Sequence, residues 1–253
     1  MIDSHCHLHH CEQADAIDIV SEASKSGLSD IIQVSTDPES YAWGRELLKN
    51  ELALNVHISA GLYPTRAAKE WRPDFDKIKN IVETESPCAI GEIGIDLYRD
   101  TSYLDEQEQM MTAQMDLAAE HNLPVILHCR SSWDSLSKIV LDYKNKVKGV
   151  WHCFDGTYEQ AMTLIDIGYA ISLSGLITFS STKKLQEIVS KLPVESLLIE
   201  TDSPYLSPKP LRGKKNKPSH IVHTFNFLCE LKGMKANELE KCLDKNTKDL
   251  FGI

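Results

Sequence analysis

The 253-residue chain has no apolar run near the roughly 20 residues that a bilayer-spanning helix needs, and no charged-then-apolar leader at its N-terminus. These absences point to the cytoplasm and away from a membrane. Its seven cysteines are odd in number and include no C-x-x-C pair, which argues against a disulfide framework and for reduced thiols. Basic charge is not in excess either. The net charge is −10, so a surface that coats nucleic acid non-specifically is excluded and any nucleic-acid contact must be local. No repeat, low-complexity tract or linker divides the chain, so residues 1–253 are expected to form one domain, acting as a monomer.

What is present is an ordinary globular composition, 42% hydrophobic and 25% charged, with a regular alternation of short apolar strands and amphipathic helices. Strands are predicted over 2–7, 30–35, 54–60, 88–94, 124–128, 149–153, 169–173 and 196–200. Helices are predicted over about 12–26, after Asp37-Pro38, and over about 74–85, 102–122, 132–143, 157–167 and 181–191. Two more follow, at about 219–231 and 236–249. Asp37-Pro38 is a strong start signal, an N-cap followed by Pro at the first helical position. Eight strands, each followed by a helix, predict an α/β fold of the (β/α)₈ TIM-barrel type with an extra C-terminal helix. The alternative, an open doubly wound sheet, lacks the Gly-rich phosphate loop expected after its first strand.

The C-terminal strand ends of such a barrel form the active-site mouth. Strand one ends with His5 and His7; alternation puts both on one face and Cys6 on the other. Glu92 lies on strand four, His128 and His152 end strands five and six, and Asp202 follows strand eight at once. Four histidines and two carboxylates therefore converge from five strands. That set exceeds the three protein ligands of a mononuclear catalytic zinc. With Glu92 bridging, it can hold two divalent ions and a water between them. Imidazoles mixed with carboxylates fit zinc, manganese, iron or cobalt, with magnesium less favoured by four histidines.

Cys6, Cys129 and Cys153 each adjoin one of these histidines. A thiolate-rich zinc site is one reading; strand alternation favours the other, three small buried apolar side chains. Arg130 returns to the inward side two residues beyond His128, where its fork suits an anionic substrate, a surface salt bridge being the alternative. His9, His10, His57, His121, His220 and His223 have no comparable placement and are expected to be structural or exposed. Residues 207–218 carry five basic side chains, among them Arg212 and Lys217, and form the one strongly basic stretch of the chain. A basic flap beside Asp202 suits a phosphate backbone; a solvated loop is the plainer reading.

Together these segments resemble the TatD-type metal-dependent deoxyribonucleases among the amidohydrolase-like barrels. The matching stretches are Asp3-Ser4-His5-Cys6-His7, Gly91-Glu92-Ile93-Gly94-Ile95-Asp96, His128-Cys129-Arg130 and His152-Cys153-Phe154-Asp155-Gly156. They continue through Ser174-Gly175, Glu200-Thr201-Asp202-Ser203-Pro204-Tyr205-Leu206, Arg212-Gly213-Lys214-Lys215-Asn216 and the C-terminal Asn246 to Phe251. The resemblance implies one metal on His5, His7, Glu92 and Asp202 and a second on Glu92, His128 and His152, the two ions being zinc, manganese or magnesium. It implies hydrolysis of DNA phosphodiester bonds. A D-aminoacyl-tRNA deacylase, or a small-ester or amide hydrolase using the same binuclear site, is the alternative. A non-catalytic, metal-stabilised binding protein fits less well, because a candidate base accompanies the ligands. Two positions depart from the family pattern. Tyr63 stands where relatives commonly carry His, followed by Arg66, which can add a substrate contact. Lys217 stands where relatives often carry Glu, making the flap more positive.

The expected mechanism uses Asp202 to orient a metal-bound water and take its proton. Arg130 and the basic loop neutralise the developing charge. Tyr63 or Tyr205 can stack on a terminal base, and single-stranded DNA or strand ends suit a barrel mouth better than a duplex.

Overall fold

Short Ile-, Leu- and Val-rich segments, too apolar to face water on either side, pair in parallel and are covered by helices. The computed structural model describes residues 1–98 and 100–253. Among these residues the chain forms eight strands and nine α-helices. In order they are β1 (Ile2–Cys6), α1 (Gln13–Lys25), β2 (Asp30–Gln33), α2 (Pro38–Leu47), β3 (Asn55–Ile58) and α3 (Arg72–Glu85). Then come β4 (Ile90–Asp96), α4 (Leu104–His121), β5 (Val125–Arg130), α5 (Trp133–Asp142), β6 (Gly149–Trp151) and α6 (Tyr158–Asp166). The chain finishes with β7 (Ala170–Leu173), α7 (Lys183–Lys191), β8 (Leu197–Ile199), α8 (Ile221–Lys232) and α9 (Ala236–Phe251). The predicted start of α2 is present: Asp37 accepts from the Ser40 N–H at 2.8 Å with Pro38 in the first turn.

The strands run in sequential order, β1-β2-β3 in one ladder and β4 to β8 in a second. Backbone bonds join the two ladders into a ring. Ala60 N donates to Ala89 O and Gly91 N to Ala60 O, both at 3.0 Å, while Asp202 N donates to His5 O at 2.9 Å and His7 N to Ser203 O at 2.8 Å. The result is the (β/α)₈ TIM barrel. Ile32, Val34, Ala89, Ile126, Val150 and Leu198 form one buried cluster, and Leu250 and Phe251 of α9 pack against them. Asn246 of α9 donates to the carbonyls of Val194 and Leu197 at 2.8 and 2.9 Å, tying the extra helix to the start of β8. The C-terminal signature is thus a structural fastening.

Several strands are shorter than the apolar runs suggest, because the chain leaves the ladder where the mouth begins. β6 stops at Trp151 and β8 at Ile199, and Cys153 and Asp202 just beyond them take left-handed φ of 46° and 53°. β4 and β5 instead run on to Asp96 and Arg130, which pair. The ladder register is irregular between Asp3 and Cys6 of β1 and between Ile90 and Ile93 of β4, the stretches that carry His5 and Glu92. Such irregularities re-aim side chains. Gly94 shows the closeness of this crossing. Its φ is +147° and a Cβ there would stand 1.9 Å from the His128 carbonyl oxygen.

Candidate metal centre

Strand alternation puts His5 and His7 on one side of β1, and their Nε2 atoms lie 3.1 Å apart. Cys6 points the other way into the hydrophobic core, its thiol directed to the Ile32 carbonyl at 3.6 Å. Glu92 divides its carboxylate between two pairs of imidazoles. Oε2 lies 3.6 and 3.5 Å from His5 and His7 Nε2, and Oε1 lies 2.8 Å from His128 Nδ1 and 3.0 Å from His152 Nε2. Asp202 Oδ1 completes the first group at 3.7 Å from His5 and 3.5 Å from His7. His5, His7 and Asp202 form one potential metal triad, and Glu92, His128 and His152 another. The structure therefore gathers all six predicted ligands. His5, His7, Glu92, His152 and Asp202 are buried and His128 is half-buried.

The donor atoms fit a cation better than they fit one another. His7 Nδ1 faces the Val34 carbonyl at 3.0 Å and must donate to it, which leaves Nε2 as a lone-pair acceptor in the neutral ring. His152 Nδ1 donates to Glu200 Oε1 at 3.3 Å, and His128 Nε2 lies 3.3 Å from Asp96 Oδ2. The inward nitrogens of these rings then meet carboxylate oxygens and each other, acceptor against acceptor. A positive charge between them resolves the conflict. Donors on a tetrahedral ion with bonds of about 2.0–2.1 Å stand roughly 3.3 Å apart, and these separations straddle that value.

The carboxylates draw positive charge to the same point. Burial raises the Glu92 carboxyl, but His152, His128 and His5 outweigh it and hold Glu92 well below the usual carboxylate range. Burial likewise opposes the charged form of His152, yet Glu92 and Glu200 push its imidazole well above the ordinary value. His7 and His128 are raised against burial by Asp202 and Glu92, and by Asp96 and Glu92, respectively. Burial and neighbouring His152 lower His5. Asp202 lies below its usual value despite burial because of His7, His152 and His5.

The thiolate reading fails. Among the described residues no cysteine belongs to a potential metal triad. Cys129 and Cys153 lie beside the hydroxyls of Ser132 and Ser174 at 3.4 and 3.2 Å. Burial raises all three thiols, Cys6 and Cys153 well above the ordinary value.

The predicted substrate residues are placed unevenly. Tyr63 sits at the centre's edge, its hydroxyl 3.2 Å from His128 Nε2 and 3.3 Å from Asp96 Oδ2, so it buttresses a candidate ligand histidine. Arg130 is exposed and its guanidinium lies 3.9 Å over the Tyr98 ring; Arg212 is exposed and lies 4.5 Å over Phe179. Arg66 is held by Asp74, with Asp37 and Glu39 each at 3.9 Å, and these carboxylates occupy its guanidinium. Lys217 donates to Glu22 at 2.8 Å and ties the flap to α1, so its charge is balanced instead of adding to the flap.

Sequence reasoning missed the supporting acids. Glu200 is fully buried and accepts from Cys153 N at 2.8 Å as well as from His152. Asp96 backs His128. Asp3 accepts from Thr201 N at 2.9 Å and Thr201 Oγ1 at 2.6 Å, stapling β1 to the segment after β8; burial pushes its carboxyl up to about 7. His9 and His10 also prove to be near the site, with ring centroids 5.5 and 5.3 Å from that of His7. The 3₁₀ turn Leu8–His10 curls them back beside it.

Known proteins resemble this chain along its whole length. The sequence profile described as "TatD related DNase" matches residues 2–252. The "uncharacterized metal-dependent hydrolase YjjV" of Escherichia coli K12 is 32% identical over 255 residues, covering 100% of this chain and 98% of that protein. The "uncharacterized metal-dependent hydrolase YabD" of Bacillus subtilis 168 is 32% identical over 256 residues, covering 100% and 99%. The crystal structure of YjjV, described as a TatD homologue, superposes with a TM-score of 0.93 at 31% identity, covering 100% of this chain and 98% of that one.

Proposed function

The chain belongs to the TatD-related DNase family and is a metal-dependent hydrolase, and from that premise we propose that it cleaves phosphodiester bonds at single-stranded DNA ends with two divalent ions shared across Glu92. The observation that carries this reading is the split of the Glu92 carboxylate between two imidazole pairs, with Asp202 on one side only. His5, His7, Glu92 and Asp202 would hold one ion and Glu92, His128 and His152 the other. Imidazole-rich donors favour zinc or manganese over magnesium. When bound, the ions supply Lewis acidity toward the phosphate and a water whose pKa is lowered toward neutrality.

The protein's own groups do the rest. Asp202 keeps Oδ1 toward His5 and His7, which leaves its second oxygen to orient water and accept its proton. Arg130 and Arg212 stand exposed with Lys214 and Lys215, and these cations suit phosphates flanking the scissile bond. Tyr205, 52% exposed and within 3.4 Å of His10 through its hydroxyl, offers a ring face to an unpaired base.

Metal-dependent cleavage of end-labelled single-stranded DNA, run beside D-aminoacyl-tRNAs and small esters, tests the proposal. DNA should be shortened, chelation should stop the reaction, and Asp202→Asn should lower turnover by about 10²- to 10⁴-fold. Untouched DNA beside a rapidly hydrolysed ester or aminoacyl-tRNA would overturn it, and full activity in Asp202→Asn would remove the assigned base.

A further inference from the structure

Glu200 closes an apolar strand, Leu197-Leu198-Ile199, and is fully buried beneath the metal ligands. One of its oxygens is doubly used, accepting from His152 Nδ1 at 3.3 Å and from the Cys153 backbone at 2.8 Å. The other, Oε2, is buried and has no hydrogen-bond partner among the described residues. His5 Nδ1 is in the same condition. A nitrogen of His5, a nitrogen of His152 and an oxygen of Glu200 lie within 4.8 Å of one another, and the His5 and His152 rings stack with centroids 4.1 Å apart.

The two orphan atoms are complementary. His5 Nε2 faces His7, Glu92 and Asp202 and must keep its lone pair to bind an ion. Its proton therefore belongs on Nδ1, which needs an acceptor. Glu200 Oε2 is a carboxylate oxygen that needs a donor. Leaving either buried group unsatisfied is costly, and a buried water satisfies groups spaced beyond direct contact. We propose that Glu200 is a positioning residue for both halves of the metal site, fixing His152 directly and His5 through one bridging water. The inference rests on the two-ion reading. It adds that a single buried acid sets the tautomer of one histidine in each triad, as outer carboxylates do for metal-bound imidazoles.

Zinc alone is the probe. Equilibrium dialysis should find two zinc ions per wild-type chain. Glu200→Ala should weaken zinc binding by about 10- to 100-fold. Glu200→Gln keeps an acceptor for His152 but loses the charge, and should weaken it less; being isosteric, it keeps the test readable if the alanine variant does not fold. Long-range ¹H–¹⁵N spectra of the metal-free proteins, recorded at a pH where the ring is neutral, should show the His152 proton fixed on Nδ1 in the wild type and shared between both nitrogens in Glu200→Ala. Wild-type zinc affinity in both variants with an unchanged His152 tautomer would overturn the assignment. So would a fall in metal-free thermal stability that left zinc affinity intact, since that marks a purely structural acid. Fewer than two zinc ions on the wild type would instead overturn the two-ion reading itself.

Discussion

The two halves of the candidate metal centre are built differently. His128 on β5 and His152 just after the adjacent β6 are each backed by a carboxylate, Asp96 behind one and Glu200 behind the other. His5 on β1 and His7 just after it have no directly bonded carboxylate behind them among the described residues; His7 leans on the backbone carbonyl of Val34. Their acidic partner is Asp202, brought from beyond β8 by the bonds that close the barrel. A carboxylate behind an imidazole raises its basicity and fixes its tautomer. A carboxylate beside it, with an oxygen to spare, can take a proton. On the two-ion proposal, one half is organised to hold an ion firmly and the other keeps its acid for chemistry.

The largest effect should come from the residue that joins the halves. Glu92 is 2% exposed and faces four imidazoles. Glu92→Gln removes the shared anion and puts an amide donor against protonated or metal-bound rings. Metal content should fall from two ions per chain to fewer than one, with cleavage lost. Elemental analysis after dialysis checks this, and two ions retained in the variant would mean that the halves are independent sites.

Next in size are changes that touch the carboxylate-backed half alone. Asp96→Asn should weaken one step of a two-step zinc isotherm by about 10- to 100-fold and leave the other step in place. Tyr63→Phe removes the hydroxyl shared by His128 and Asp96 and should shift that same step by a smaller factor. Equal movement of both steps would erase the proposed difference between the halves.

Much of this was legible from residue order because a strand's alternation is rigid. His5 and His7 had to share a face, and ligands at the ends of β5, β6 and β8 had to reach one mouth once a barrel was assumed. The supporting acids left a fainter signal that could have been read. Asp96 keeps the same parity as Glu92 and Gly94 on β4, and Glu200 is a charge ending an apolar strand, a position that a solvated residue seldom takes. The ion pairs of Arg66 and Lys217 were hidden for a different reason. Their partners, Asp74 on α3 and Glu22 on α1, are brought to them by folding, and a local charge count cannot include acids that arrive from elsewhere. His9 and His10 depended on a 3₁₀ turn after β1, which hydrophobic periodicity does not reveal.

The smallest effect separates scaffold from site. If Arg66 serves the fold through Asp74, breaking that pair should alter stability and spare both halves of the centre. Lys77 and Arg66 hold the Asp74 carboxyl below its ordinary value. A carboxyl with a folded pKa below its unfolded one stabilises fully above about pH 4 and loses that contribution as pH falls through the folded value. Asp74→Asn should therefore lower the thermal midpoint near neutrality and show a shallower decline than the wild type between about pH 5 and 3. Because the pair is near the surface and screened, the contribution is at most about 1 kcal/mol, or about 2–4 °C for a chain of this size. Zinc stoichiometry and DNA cleavage should stay at wild-type levels. A marked loss of DNA affinity in Asp74→Asn would instead place Arg66 and its acids among the groups that orient substrate.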